Sequence, residues 1–228
     1  MSLHSPPASR WKRFLYENSL LLVISVLALV TLVGQIVTGW HVYNEELSDH
    51  GMATLGVCQY LTSGHFVEAT FENWESEFLQ MALFVLLAVW LRQKGSAESK
   101  KLYEEEAVDR DGDPSKQDAP WPVHRGGWIL KLYRNSLAIA FFGLFALSML
   151  LHAKGGAEET SVERLQHGEP PVGMWKFMTT SDFWFQSFQN WQSEFVSIVA
   201  IVGLTIFLRQ KGSPQSKPVD MATSQTED

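Results

Sequence analysis

The sequence holds a single cysteine, Cys58, among 228 residues. An intrachain disulfide is therefore excluded, and so is any metal site built on several thiolates. Positive charge is also scarce. Eighteen Lys and Arg stand against twenty-five Asp and Glu, for a net charge of −7, which leaves no electrostatic footprint for nucleic acid. Catalytic signatures are missing too: there is no glycine-rich nucleotide loop, nucleophile elbow, HExxH spacing or catalytic dyad. No catalytic residue, metal site or cofactor is expected, and the chain is expected not to be an enzyme. No Lys or Arg occurs between Trp40 and Leu91.

What is abundant is apolar sequence in blocks. Leu20 to Trp40 is nearly continuous and, as a helix, spans roughly 30 Å, the thickness of a bilayer core. Phe78–Leu91, Leu137–Leu151 and Phe195–Leu208 are three further runs. Extending the second and fourth back to Trp74 and Trp191 gives helices of roughly 26 Å. These stretches mostly lack the polar face that a soluble helix needs. The first run exceeds a signal-peptide core, has no clear small-x-small site after it, and reads as a retained anchor. Nine Trp and fourteen Phe suit membrane interfaces. Arg10, Lys12 and Arg13 precede the first run; Arg92, Lys94, Lys100 and Lys101 follow the second; Lys131 and Arg134 precede the third; Arg209, Lys211 and Lys217 follow the fourth. The positive-inside rule then places both termini and the central linker in the cytoplasm.

A shift of 117 residues aligns the two halves without a gap. "LYENSL" falls on "LYRNSL", and "ENWESEFLQMALFVLLAVWLRQKGSAESK" on "QNWQSEFVSIVAIVGLTIFLRQKGSPQSK", identical at fifteen of twenty-nine positions. Such self-similarity marks a structural repeat. The expected fold is an all-α integral membrane protein with four transmembrane helices, arranged as two parallel-topology two-helix repeats. The expected divisions are a cytoplasmic N-terminal segment at 1–13, repeat unit 1 at 14–94, a flexible cytoplasmic linker at 95–127, repeat unit 2 at 128–211, and a disordered cytoplasmic tail at 212–228. In the first outer loop, Ser63 is placed to cap a helix that continues into or kinks toward the second span. The aromatic residues there fit either a helix lying in the outer interface or a loop packed on the helix tops.

The doubled hexamer, Asn73–Phe78 and Asn190–Phe195, is polar at the mouth of an apolar run. At 100° per residue Asn73, Ser76, Glu77 and Gln80 share an arc of about 100°, with Glu75 pointing away. Asn190, Ser193, Glu194 and Ser197 repeat it, while Gln192 stands at the Glu75 position. Two readings compete. Asn and Glu suit a helix start and hydrogen-bonding glue between helices. Intramembrane acids also mark ligand, ion or proton sites. On the second reading the candidates are Glu77, Glu194, His152, Gln35, Asn73 and Asn190, with Gln35 and His152 at equivalent positions and the two glutamates turned inward. Such a cluster suits a proton or a divalent metal.

The doubled "NW[EQ]SEF … LRQKGS … SK" pattern, with "YLTSGHF" ahead of it, resembles an uncharacterised family of bacterial four-span inner-membrane proteins, grouped as a domain of unknown function. The resemblance covers nearly the whole chain. It implies a multi-pass protein of the bacterial inner (plasma) membrane and carries over no functional residues. The expected activity is non-enzymatic, an interaction or envelope-maintenance role. The alternative is a small proton or cation transporter or channel using the paired glutamates. The expected partners are the lipid bilayer and either a second copy of the chain or another membrane protein.

Overall fold

The computed structural model describes residues 9–226. The first eight residues of the expected N-terminal segment and the last two of the tail lie outside them. Every regular element among the described residues is helical. In order they are α1 (Arg10–Glu17), α2 (Ser19–Asp49), α3 (Val57–Tyr60), α4 (Gly64–Trp90), a 3₁₀ turn (Ala107–Asp109), α5 (Trp121–Arg125), α6 (Gly127–Arg134), α7 (Ser136–Gln166), α8 (Met174–Phe177) and α9 (Ser181–Phe207). Four of these begin 117 residues after a partner of equal length: α6 after α1, α7 after α2, α8 after α3 and α9 after α4.

Three helices, α2, α7 and α9, are long and apolar enough to cross a membrane. The sequence leads one to expect four. The fourth, α4, falls short because Glu75 and Glu77 stand just ahead of its apolar run and Gln80 lies inside it. At 31 residues each, α2 and α7 reach about 46 Å, well beyond a bilayer core of about 30 Å. The apolar stretch of α2 has no buried residue and that of α7 few, while the buried residues gather in the C-terminal part: Tyr43 and Leu47 on α2, and His152, Ala153 and Gly155–Ala157 among others on α7.

The chain forms two compact units, Met1–Phe66 and Val67–Asp228. In the first, Tyr43, Leu47 and Tyr60 make the core, with Trp40, Met52, Leu55 and Phe66 against them. Asn44 clasps the connecting segment: its Oδ1 accepts from Leu55 N at 2.6 Å, and its Nδ2 donates to Leu55 O at 3.0 Å. In the second, Ala153, Ala157, Phe177 and Phe183 form the core. Ser161, 117 residues after Asn44, holds Val172 the same way, accepting from Val172 N at 3.0 Å and donating to Val172 O at 3.1 Å.

The start of α4 resolves the open reading of the first outer segment. Ser63 Oγ accepts from Phe66 N at 3.3 Å, as an N-cap does, and the helix then runs without a break to Trp90. Thr180 does the same for α9, accepting from Phe183 N. Asn73 and Asn190 are therefore not helix caps. Each lies more than two turns inside its helix, and Asn73 Nδ2 donates back to Ala69 O at 2.8 Å.

After α4 and α9 the "LRQKGS" segments fold into the same turn. Gln93 N donates to Ser99 Oγ and Gln210 N to Ser216 Oγ, both at 2.8 Å. Gly95 and Gly212 have φ of 83° and 88°, a region open to glycine without steric cost. Arg92 and Arg209 each donate to carbonyls in the last turn of their helix, Val89 O at 3.1 Å and Ile206 O at 3.2 Å. They thus satisfy helix-end acceptors. The segment 95–127 contains hydrogen-bonded turns, and Ser96 Oγ pairs with Thr205 Oγ1 at 3.0 Å. In the tail the buried Lys217 ammonium donates to the carbonyls of Ala222, Thr223 and Gln225.

Candidate functional site

The polar centre of the second unit is built on His152 of α7, which is fully buried. Its surroundings explain how an imidazole comes to sit there. Ala153, Gly155, Gly156 and Ala157 make this stretch of α7 narrow, so neighbours approach closely. The Phe183 ring stacks on the imidazole at 4.8 Å.

Three carboxylates converge on this histidine from α4: Glu68, Glu72 and Glu75. Their spacing of four and three residues puts them on one helical face. His152 Nδ1 lies 2.8 Å from Glu75 Oε2, and both side chains are fully buried. Trp191 Nε1 of α9 donates to the other oxygen of Glu75 at 2.9 Å. His152 Nε2 lies 3.1 Å from Gln186 Oε1 and 3.9 Å from Glu72 Oε2. Gln186 Nε2 donates to Glu68 Oε1 at 2.8 Å, and Asn190 Nδ2 to Glu72 Oε1 at 3.1 Å. Glu68, Glu72 and His152 each present one ligand atom, all within 4.8 Å of one another. Between Phe183 and Asn190 on the same face of α9 sits Ser187. It is 1% exposed, and its hydroxyl has no hydrogen-bond partner.

Glu68 and Glu72 precede the apolar run that begins at Phe78 by roughly 15 and 9 Å of helix. Burial pushes both carboxyls above the usual carboxylate range, because the charged form loses hydration. The amide donors Gln186 and Asn190, and the charge of His152, act in the opposite sense.

The arrangement corrects the expected orientation of the hexamer. Ser76 and Gln80 of the proposed stripe are buried, but Asn73 and Glu77 are exposed. Glu75, expected to point away, is the buried acid. The buried face of α4 carries Glu68, Glu72, Glu75, Ser76, Leu79, Gln80 and Ala82 at least in part, and its centre lies about 90° from the predicted one. The physical reason is that the face is defined by what α7 and α9 offer it, namely His152, Gln186 and Trp191, and not by the polar residues nearest the apolar run. Glu194 is half-buried on α9 and offers its backbone carbonyl to Gln80 Nε2 at 3.1 Å. Gln35 is half-buried in the other compact unit. Of the six candidates, His152 and Asn190 belong to the cluster; Glu68, Glu72, Glu75, Gln186 and Trp191 were missed. The i, i+4, i+7 spacing of the three acids was the signal that would have found them.

No curated protein and no solved structure matches the chain. A family model does, over residues 11–228, nearly the whole length. The chain thus belongs to the family described as a domain of unknown function, DUF6766.

Proposed function

We propose that the chain is a four-span protein of a bacterial inner membrane, built as two parallel-topology two-helix repeats, which acts by binding rather than by turnover. The observation that carries this reading is the distribution of burial. Apolar side chains in the middle of the long helices are exposed, as a bilayer requires, while the polar groups that are costly in lipid are gathered and paired beyond the apolar runs. α4 serves as the fourth span through Trp74–Trp90, roughly 26 Å of helix, and matches α9 in length. Gln80 Nε2 donates to Ser197 Oγ at 2.9 Å, and these positions are 117 residues apart. Contact between equivalent positions is what a pseudo-twofold axis passing between α4 and α9 produces. The cytoplasmic side is the one rich in Lys and Arg, and it holds both termini and the linker.

Binding is favoured over catalysis because His152 is bonded to Glu75 and Gln186, not to a nucleophile. The envelope-maintenance or interaction role follows, with the bilayer and a second copy or another membrane protein as partners. The transporter alternative has one observation behind it, the buried Glu75–His152 pair. Against it, the buried positions of α4 beyond Glu75 and Ser76 are Leu79, Gln80 and Ala82, and Gln80 is engaged with α9. Purified protein in liposomes should pass protons and monovalent cations no faster than empty liposomes. A flux above that level that disappears in Glu75→Gln would make the transport reading the correct one.

Orientation has a direct test. Cys58 is the only thiol and is exposed. A membrane-impermeant maleimide should label it in intact spheroplasts. In a Ser115→Cys variant lacking Cys58, labelling should require lysis. Labelling of that linker thiol from outside would reverse the topology.

A further inference from the structure

We propose that Glu68, Glu72 and His152 form a binding site for one divalent transition-metal ion, resting on the reading of this cluster as a binding centre at the outer end of the helices. The first support is a mismatch of donors and acceptors around the imidazole. A neutral imidazole carries one N–H. Here both ring nitrogens face oxygen atoms, Nδ1 the Glu75 carboxylate and Nε2 the Gln186 carbonyl oxygen, with Glu72 beyond. Gln186 is fixed in that orientation because its NH₂ donates to Glu68; the flipped amide would set oxygen against carboxylate. Both nitrogens are therefore satisfied only when a positive charge sits at Nε2, either a second ring proton, which makes the charged pair with Glu75, or a metal ion in its place.

The second support is charge. Three carboxylates share this partly and wholly buried space with a single imidazole, and buried charge is expensive unless compensated. One divalent ion compensates two of them. The third support is the arrangement around the ligand atoms. Glu75 bonded to Nδ1 orients the imidazole so that Nε2 is the ligand, the carboxylate–histidine–metal pattern. Gln186 and Asn190 each hold one oxygen of Glu68 and Glu72, which positions those carboxylates from behind. The unpartnered Ser187 hydroxyl lies on the same face of α9 and suits a water molecule on the ion. Two carboxylates and one imidazole, with no thiolate, select Mn²⁺, Fe²⁺, Co²⁺ or Zn²⁺ over Mg²⁺, which dehydrates reluctantly.

Sequence equivalence separates this site from a requirement of the fold. The positions 117 residues away from Glu68, Glu72, Glu75 and His152 are Phe185, Gln189, Gln192 and Gln35. The same helices are therefore built in the other half with no ionisable group at any of the four places. A charged version in one half alone is what a single ligand site demands.

The test uses the full chain, purified in detergent without a histidine tag and stripped by chelator. Titration with Mn²⁺ followed by electron paramagnetic resonance, and with Co²⁺ followed by visible absorption, should give one ion per chain. Glu68→Gln combined with Glu72→Gln should weaken binding at least about 100-fold, with helicity by circular dichroism unchanged. Glu77→Gln combined with Glu194→Gln should bind as the wild type does. No stoichiometric binding by the wild-type chain, equal binding by the Glu68/Glu72 variant, or Mg²⁺ bound as tightly as Mn²⁺ would each overturn the proposal. If binding fails while Cys58 labels from outside as expected, the metal site falls and the membrane reading stands.

Discussion

Replacing His152 by leucine is expected to lower the stability of the protein by about 3–5 kcal/mol, the usual consequence of leaving one member of a buried charge pair behind. Glu75 is fully buried and has two bonding partners, His152 and Trp191. Without the imidazole its Oε2 faces an apolar side chain, and Trp191 alone cannot satisfy the carboxylate. Replacing Glu75 by leucine as well should recover most of the loss, since a buried pair exchanged for apolar residues is often neutral. The coupling in this double-mutant cycle separates pairing from simple packing. Glu75→Gln should cost far less than His152→Leu, because an amide removes the buried charge and keeps an acceptor for Trp191. Denaturant unfolding in detergent micelles, read by tryptophan fluorescence, measures the four proteins of the cycle and Glu75→Gln. Equal stability of His152→Leu and wild type would mean that Glu75 reaches water or another donor, and that the pair is not the centre of this unit.

How far the site was legible can be traced through particular residues. The apolar runs announce the spans, because a bilayer imposes a length and a composition that average over details of packing. The extensions of α2 and α7 past Trp40 and Leu151 were hidden, since their residues are polar enough to pass for loop. Yet Tyr43 and Leu47, four apart, already mark one buried face. The hexamer misled for a related reason. The half that both repeats share, Asn73, Ser76 and Glu77, points by sequence to the inward face. At the Glu75 position the second half carries Gln192 instead. In fact the variation is the sign of a role present in one half only: Glu75 changes to Gln192 just where His152 changes to Gln35. Paired substitutions at equivalent positions carry more information than identity does when a repeat has specialised. The donor geometry around His152 cannot be read from sequence, because it depends on which face α9 turns toward α4.

The other large effect is expected at Gly156. A Cβ at this position would overlap the ring of Phe177 and come within 2.9 Å of Glu68 Oε1. Phe177 is 1% exposed and packs edge-on against Phe183 at 5.7 Å, so it has little room to retreat. Gly156→Ala should therefore destabilise by about 1–3 kcal/mol, the range for overpacking a tight core. The intrinsic helix preference of alanine offsets this by up to about 1 kcal/mol. Gly39, 117 residues earlier, faces Tyr60 in the first unit, but there the overlap falls mainly on the hydroxyl at the far end of the side chain. Tyr60 is itself buried among Tyr43, His65 and Phe66, but only its hydroxyl oxygen comes within 3.0 Å, against three atoms at Gly156, so Gly39→Ala should cost less than Gly156→Ala. A companion change, Phe177→Leu, should relieve part of the Gly156→Ala penalty by opening space at the ring position, although each change alone destabilises. Unfolding midpoints of the two single variants and the double give the coupling. If the double variant loses the sum of the two, the aromatic ring does not set the limit, and the tight approach of α8 to α7 has another origin. If the coupling is present, the narrow stretch of α7 fixes how close Glu68 stands to His152, and the same glycine that admits the Phe177 ring also positions the carboxylate.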